Sequence, residues 1–432
     1  MLDIKLIREH PEIVEKDLRK RGALDKIKMI GEVKKLDEKR RQLIQRADAL
    51  KQSRNTVTRE IARLKMTTAH AERANKPAIA KLLKENKEIP DKIRKLDDEL
   101  QQVDASIRAA LMRFPNILHE SVPIGKDETG NVVVREWGQK TKLAFPAKDH
   151  IDIGIAMDLI DLERAAKTTG ARFYYMKNEL VLLNNAVIRF ALDFLKNKGF
   201  ALLQTPFMLR RKAIEGATDL EDFEQMIYKI EGEDLYMIAT SEHAILGMHM
   251  DEILEALPLK YCAWSPCFRK EAGSHGRDTK GIFRIHQFEK VEQFIFCRPE
   301  ESSQLHEELI RNAEEFFQQL KIPYRIVNIC TGDIGTVAAK KYDLDAWLPG
   351  QQRYRELVSC SNCTDYQARR SGIRYRDSTS QPTKVPHTLN STLTATERTL
   401  IAIMENYQTE DSIIIPDVLQ KYMNGMKEIK KA

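Results

Sequence analysis

No stretch of this chain approaches the roughly 20 consecutive apolar residues that a membrane-spanning helix needs. Its opening residues, MLDIKLIREHPE, are charged where a secretory leader would carry an apolar core. Both absences argue against a membrane or exported protein, so a soluble, cytoplasmic location with no membrane partner is expected. Cysteine is missing from the first 261 positions, and the six present stand at 262, 267, 297, 330, 360 and 363. In apolar, strand-like surroundings these read as reduced, buried thiols and not as a disulfide framework. Cys360 and Cys363 have the spacing of half a tetrahedral zinc site, but Cys262 and Cys267 make a poor second half and no His pair stands near. Structural thiols are the expectation, and metal is the alternative. Neither GxxxxGK[ST] nor a GxGxxG after a strand occurs, which excludes the usual phosphate loops of parallel-sheet nucleotide folds.

Net charge is also modest, +6 over 432 residues with a pI near 8.8, but its distribution is uneven. Residues 25–100 carry 21 Lys and Arg against 13 Asp and Glu, and residues 51–84 alone carry nine against two. The same region holds an unbroken heptad. Val33, Arg40, Ala47, Arg54 and Ile61 occupy one seam position, and Leu36, Leu43, Leu50, Val57 and Leu64 the other. A second seam runs from Leu82 through Asn86, Ile89, Ile93, Leu96, Leu100, Val103, Ile107 and Ala110 to Phe114. The interruption at 66–78, with Asn75 and Pro77, has room only for a reversal. An antiparallel two-helix arm about 60 Å long is therefore predicted over 28–110, kinked near Pro90. Such an arm serves as a dimerisation coil or spacer, or as a probe for a phosphate backbone. The positive charge concentrates toward the turn, at Arg54, Arg59, Arg63, Arg73 and Lys76, which favours the probe.

The helical period stops after 114, and Val122-Pro123-Ile124-Gly125 with Thr129-Gly130-Asn131 reads as linker. The expected organisation is an arm domain over 1–112, a linker over 113–150 and a body over 151–432. In the body, helices are expected at 158–167, 179–197, 241–250, 300–320 and 394–407. Strands are expected at 200–205, 235–240, 260–268, 282–297, 324–330 and 353–360. That uneven mixture argues for an α+β fold on an antiparallel sheet flanked by helices.

The most informative segment is FRKEAGSHGRDTKGIFRIHQFEKVE, residues 268–292. A polar loop containing Gly273, Gly276 and Gly281 separates two apolar runs, which reads as a hairpin. Alternation along the return run puts Arg284, His286, Phe288, Lys290 and Glu292 on one face, with Ile285, Val291 and Ile295 on the other. A strand face bearing an arginine, a ring and a carboxylate makes poor core and a good site.

This hairpin resembles motif 2 of the class II aminoacyl-tRNA synthetases, and the seryl-tRNA synthetases in particular. Further similarity lies in Thr240-Ser241-Glu242, in Glu356-Leu357-Val358-Ser359 followed by CSNCTDYQARR, and in HTLNSTLTATERT from 387. The resemblance covers essentially the whole chain. It implies activation of L-serine with ATP and Mg²⁺, then transfer to tRNA(Ser), bound through its long variable arm and acceptor end, with tRNA(Sec) left open as a second substrate. It implies a homodimer through 179–206. Arg269, a guanidinium fork, is expected to clamp the α-phosphate and touch the serine carboxylate. Arg398 is expected to hold the γ-phosphate, and Glu356 and Ser359 to ligate Mg²⁺. Alternation puts Glu356 and Ser359 on opposite faces, so a bulge or a backbone contact is needed there. Phe288 would stack on adenine with Glu271 near its amino group. Lys270, Ile285, His286, Gln287, Leu357 and Val358 complete the ATP site. Thr240, Ser241, Glu242, Arg269, Glu292, Asn390 and Thr392 are expected to hold serine, with Glu292 reading its hydroxyl. His275 and His286 are expected to be structural and not general bases.

Three competing readings stand beside this one: a catalytically silent paralogue that binds RNA or a partner, a coiled-coil interaction protein, and a ligase charging carrier proteins. The intact set Arg269, Glu271, Glu292, Glu356 and Arg398 opposes the first, the hairpin opposes the second, and the basic arm opposes the third.

Overall fold

The computed structural model describes residues 1–66, 69–219, 223, 225–271, 278 and 280–431, without the side chains of 69–74 and 85. Gly273, His275, Gly276 and Arg277, and the side chain of Arg73, lie outside the described residues. The chain divides into two compact units, residues 2–114 and 115–432 with Met1.

The first unit is helical. Two short helices, α1 (Ile4–Glu9) and α2 (Pro11–Lys20), precede α3 (Ile27–Lys65) and α4 (Ala69–Leu111). Val33, Leu43, Ala47 and Ile61 of α3 and Ile89, Ile93, Leu96, Val103 and Ile107 of α4 are buried. Ion pairs cross the seam from Arg40 to Asp104 at 2.6 Å, from Lys39 to Glu99 at 2.8 Å and from Lys51 to Asp97 at 3.5 Å. Arg40 meets Asp104 while Lys51, farther along α3, meets the earlier Asp97 of α4, the antiparallel register. The reversal is tighter than the sequence suggests, because α4 starts at Ala69 and runs as helix through both Pro77 and Pro90. Arg54, Arg59, Arg63 and Lys76 are exposed.

The second unit is α+β. Its sheet is built from β1 (Val132–Trp137), β2 (Ala201–Leu203), β3 (Leu259–Phe268), β4 (Gln287–Cys297), β5 (Tyr324–Asn328), β6 (Lys340–Leu348), β7 (Arg353–Asn362) and β8 (His387–Ala395). The spatial order is β1-β5-β6-β7-β8-β4-β3-β2. Every pairing is antiparallel except β2 with β3. Helices α5 (Glu179–Asn197), α6 (Ser241–Met248), α7 (Ser302–Gln319), α8 (Tyr366–Arg370) and α9 (Thr396–Asn406) pack around it. Leu183, Val187 and Phe190 of α5, Leu309 and Phe316 of α7 and Ile403 of α9 share one core with Val291 and Ile295 of β4. Phe294 and Phe296 of the same strand turn the other way, onto Ile245 and Leu246 of α6. This alternation sets the site, since it carries Lys290 and Glu292 to the α6 side.

Three expectations change. The helix expected at 158–167 begins only at Leu162 and runs to Thr169, because Asp158 adopts φ 55 and Asp161 caps the helix, and a separate helix, His150–Ala156, precedes it unforeseen. The return strand of the hairpin begins at Gln287, so 282–286 is irregular chain. Strands β1, β6 and β8 went unforeseen: charged pairs in KKYDLD and hydroxyl residues in HTLNSTLTA mask their alternation, and burial within the sheet decides.

Candidate active site

Strands β3, β4, β7 and β8 line a cleft of about 390 Å³. One end is acidic. Glu292 lies mid-sheet, opposite Ala263 of β3 and Thr392 of β8. Its Oε2 accepts a hydrogen bond from Thr392 Oγ1 at 3.2 Å and pairs with Lys290 Nζ at 2.6 Å. Glu242 enters from the first turn of α6, whose N-cap Thr240 accepts a bond from the Glu242 amide. Glu242 Oε1 accepts from Gln367 Nε2 at 2.6 Å and Asn390 Nδ2 at 3.1 Å. Burial, reinforced by the nearby charge of Glu292, pushes the Glu242 carboxyl up to about 7. Of the two carboxylates, Glu292 already has a cation in Lys290, whereas Glu242 is held by the neutral donors Gln367 and Asn390.

The other end is basic. Arg269 follows β3, with its guanidinium 5.1 Å from the Phe288 ring centre. Arg398, in the first turn of α9, donates to the Glu356 carbonyl at 2.9 Å, approaches its carboxylate at 3.6 Å and lies 4.6 Å from the Phe283 ring centre. Burial alone would raise the Glu356 carboxyl, but Arg398, Lys341, Arg269 and Arg284 together hold it below the ordinary range. The alternation problem at Glu356 and Ser359 is resolved by a register shift: Leu344 faces Val358 whereas the next residue, Asp345, faces Glu356. Leu357 is the extra residue, and both Glu356 and Ser359 line the cleft. Asp343 faces Ser359 across the ladder, buried, with Oδ1 lacking a partner. Glu356, held ionised, and the Ser359 hydroxyl are hard oxygen donors of the kind Mg²⁺ takes, whereas burial pushes the neighbouring Asp343 carboxyl up to about 8. Among the described residues no cluster of three His, Cys, Asp or Glu suits a metal. All six cysteines are buried and free.

Of the residues expected from sequence, Thr240, Glu242, Arg269, Glu271, Ile285, Phe288, Glu292, Glu356, Leu357, Ser359, Asn390, Thr392 and Arg398 line this cleft. Five do not. Ser241 is buried with its hydroxyl toward the Ala263 carbonyl. Lys270 binds Met226 through its backbone. His286 hydrogen-bonds the Arg269 carbonyl at 2.9 Å and so braces the arginine from behind. Gln287 is exposed, and Val358 belongs to the core. Lys290, Lys341, Gln367 and Glu397 matter here although the sequence alone gives them no role. Lys290 is visible in the alternation of β4, Lys341 sits on an unforeseen strand, and nothing local marks the other two. Glu397 accepts two bonds from the Glu289 amide and one from the Tyr174 hydroxyl. Burial pushes its carboxyl up to about 7.

An antiparallel sheet carrying these groups, entered by the β3–β4 hairpin and flanked by α9, defines a class II synthetase core. Residues 225–407 match the class II tRNA synthetase core domain (G, H, P, S and T), and residues 1–118 match the seryl-tRNA synthetase N-terminal domain. The serine–tRNA ligase of Methanoregula boonei is 52% identical over 428 residues, 98% of this chain and 99% of that one. Seryl-tRNA synthetase from Pyrococcus horikoshii, solved with ATP, superposes over all of both chains with a TM-score of 0.91 at 50% identity. The cytoplasmic enzyme of Naegleria fowleri, solved with AMP, gives 0.86 at 39% identity over all of this chain and 99% of that one. The chain belongs to the seryl-tRNA synthetase family.

Proposed function

We propose that this chain activates L-serine with ATP and transfers the seryl group to the 3′ end of tRNA(Ser). The observation that carries this is one cleft with a buried carboxylate pair at one end and Arg269, Glu356 and Arg398 at the other. A silent paralogue has no reason to keep both.

In the first step a serine carboxylate oxygen attacks the α-phosphorus, the new P–O bond forms, and the bond to the β-phosphate oxygen breaks to release pyrophosphate. The carboxylate is already ionised, so no general base is required and the protein's task is positioning and charge. Arg269 brings to the basic end a guanidinium fork that can bridge the carboxylate and the α-phosphate. Arg398 takes the γ-phosphate, and Phe288 offers its ring to adenine. Glu356 and Ser359 would hold Mg²⁺, which when bound offsets the charge of the phosphate oxygens. At the acidic end, Glu242 with Asn390 takes the serine ammonium and Glu292 with Thr392 takes the hydroxyl. In the second step a terminal ribose hydroxyl of the tRNA attacks the seryl carbonyl, and AMP leaves. The exposed basic tip of the α3–α4 arm grips the tRNA through phosphates. A cytoplasmic location follows from this activity. Serine-dependent exchange of pyrophosphate into ATP, without any tRNA, is the expected result, and its absence in folded protein would overturn the reading.

The active form proposed is a homodimer through 179–206 and its neighbours. Ile155, Tyr175, Val181, Leu182, Leu202 and Met208 are large, apolar and more than a third exposed, a concentration that a partner would cover. A dimer mass at micromolar protein is expected in solution, and a fully active monomer would refute the interface.

A further inference from the structure

Gln367 of α8 is fully buried at 0% exposure and belongs to none of the groups assigned to substrate. Its amide orientation is fixed by its neighbours. The Ala217 carbonyl, 3.0 Å from Nε2, can only accept, and the Thr388 hydroxyl donates to Oε1 at 2.7 Å. The remaining N–H must therefore point at Glu242 Oε1, 2.6 Å away. Asn390 donates to that same oxygen at 3.1 Å. With Oε1 doubly occupied, Oε2 is the Glu242 oxygen left for an incoming ligand.

We infer that Gln367 is a positioning residue for the amino-acid substrate, locking Glu242 so that Oε2 faces the ammonium group. This rests on the reading of Glu242 as the ammonium's partner. An unlocked carboxylate in so small a space would swing, and like-charge repulsion would drive it from Glu292. The charged and titratable groups facing Glu242 are Glu292 and Lys290 from β4, Arg269 beyond β3, Cys363 beyond β7 and its neighbour His243 on α6. Burial of His243 lowers it to about 3, so His243 is neutral across the working range. The Gln367 bond itself favours the ionised carboxylate, opposing the burial that raises Glu242 to about 7.

The test is pyrophosphate exchange by Gln367→Met, Thr388→Val and Glu242→Gln across pH 6 to 9. Gln367→Met keeps the length and loses the donor. It is expected to raise the KM for serine about 10- to 100-fold, the equivalent of one hydrogen bond to a charged group. The KM for ATP should stay within about two-fold, since Glu242 touches no nucleotide group. In the parent enzyme the KM for serine should rise as pH falls through about 7, where Glu242 takes up a proton. Without the Gln367 donor the folded-state value is higher still, so in Gln367→Met this rise should begin at higher pH. Thr388→Val, which frees the amide to rotate, should move both quantities the same way by less and supplies the test if Gln367→Met does not fold. An unchanged serine KM and pH profile in these variants, with Glu242→Gln impaired for serine, overturns the positioning role. An unimpaired Glu242→Gln overturns the ammonium assignment beneath it, and the inference with it.

Discussion

Replacing the distal part of the arm, residues 47–98, by a short turn is expected to leave serine-dependent pyrophosphate exchange within about three-fold of the full chain, while transfer to tRNA falls by about 10³ or more at the same tRNA concentration. Residues 115–432 form a compact unit with their own core, and every residue proposed to touch serine or ATP belongs to it. The cut is placed at 47 and not nearer 28 for a packing reason. Ile7, Val14 and Leu18 of α1 and α2 are buried, and these helices pack against α3. A shorter stub would strip their cover and confound loss of tRNA binding with loss of fold. The retained stub keeps the Lys39–Glu99 and Arg40–Asp104 pairs as its clamp. Neutralising Arg54, Arg59, Arg63, Arg73 and Lys76 in the intact arm should weaken tRNA binding and flatten its dependence on log salt, by as much as about 0.9 for each phosphate that no longer meets a cation. Loss of exchange in the folded deletion variant, or an unchanged salt slope in the neutralised one, would assign the arm another purpose.

The arm is legible because a heptad is a local signal: each seam residue is placed by its neighbours three and four positions away, and Val33, Leu43, Ile61, Ile93 and Val103 obey it. The hairpin and the polarity of β4 are legible for the same reason, since strand alternation alone turns Glu292 and Val291 to opposite sides. What stays hidden depends on sequence-distant partners. Strand β6 carries Lys341 and Asp343 in its interior, against the ordinary composition of a buried strand; Lys341 lines the cleft and the Asp343 carboxylate lies 3.6 Å from the Lys341 ammonium. The bulge at Leu357 can be inferred from the need to bring Glu356 and Ser359 together, but its position follows from the pairing with Leu344 and Asp345. Gln367 and Thr388 lie 125 and 21 residues from the groups that give them meaning, Glu242 and Gln367. His286 plays the structural part expected of it: its ring bonds the Arg269 carbonyl and does not line the cleft, which follows from the irregular path of 282–286 and not from strand alternation.

Substitution of Glu292 should have the second large effect, and the structure changes its expected size. A carboxylate awaiting only the serine hydroxyl would reject alanine by about 10⁴, because a buried charge would be left unmet. Glu292 is not in that state, since its Oε2 already engages Thr392 and Lys290. Alanine therefore leaves one oxygen unmet, and a serine-to-alanine preference of about 10² in kcat/KM is expected. Threonine brings the hydroxyl together with a methyl group, so its exclusion rests on fit against Thr240 and Thr392 and should reach about 10- to 200-fold. Glu292→Ala removes the hydroxyl's acceptor and also strands Lys290, whose side chain is only 9% exposed. Breaking a buried pair costs about 3–5 kcal/mol, so exchange with serine should fall by about 10³ and thermal stability should fall with it. Glu292→Gln keeps the volume and an acceptor oxygen, and its loss should be smaller, about 10- to 100-fold. Exchange measured with serine, alanine and threonine on both variants separates the two contributions: stability and overall rate report the Lys290 pair, whereas the serine-to-alanine ratio reports the hydroxyl contact. A ratio that stays at its parent value in Glu292→Ala would move the reading of the hydroxyl to another residue of the acidic end, with Thr392 the first to examine.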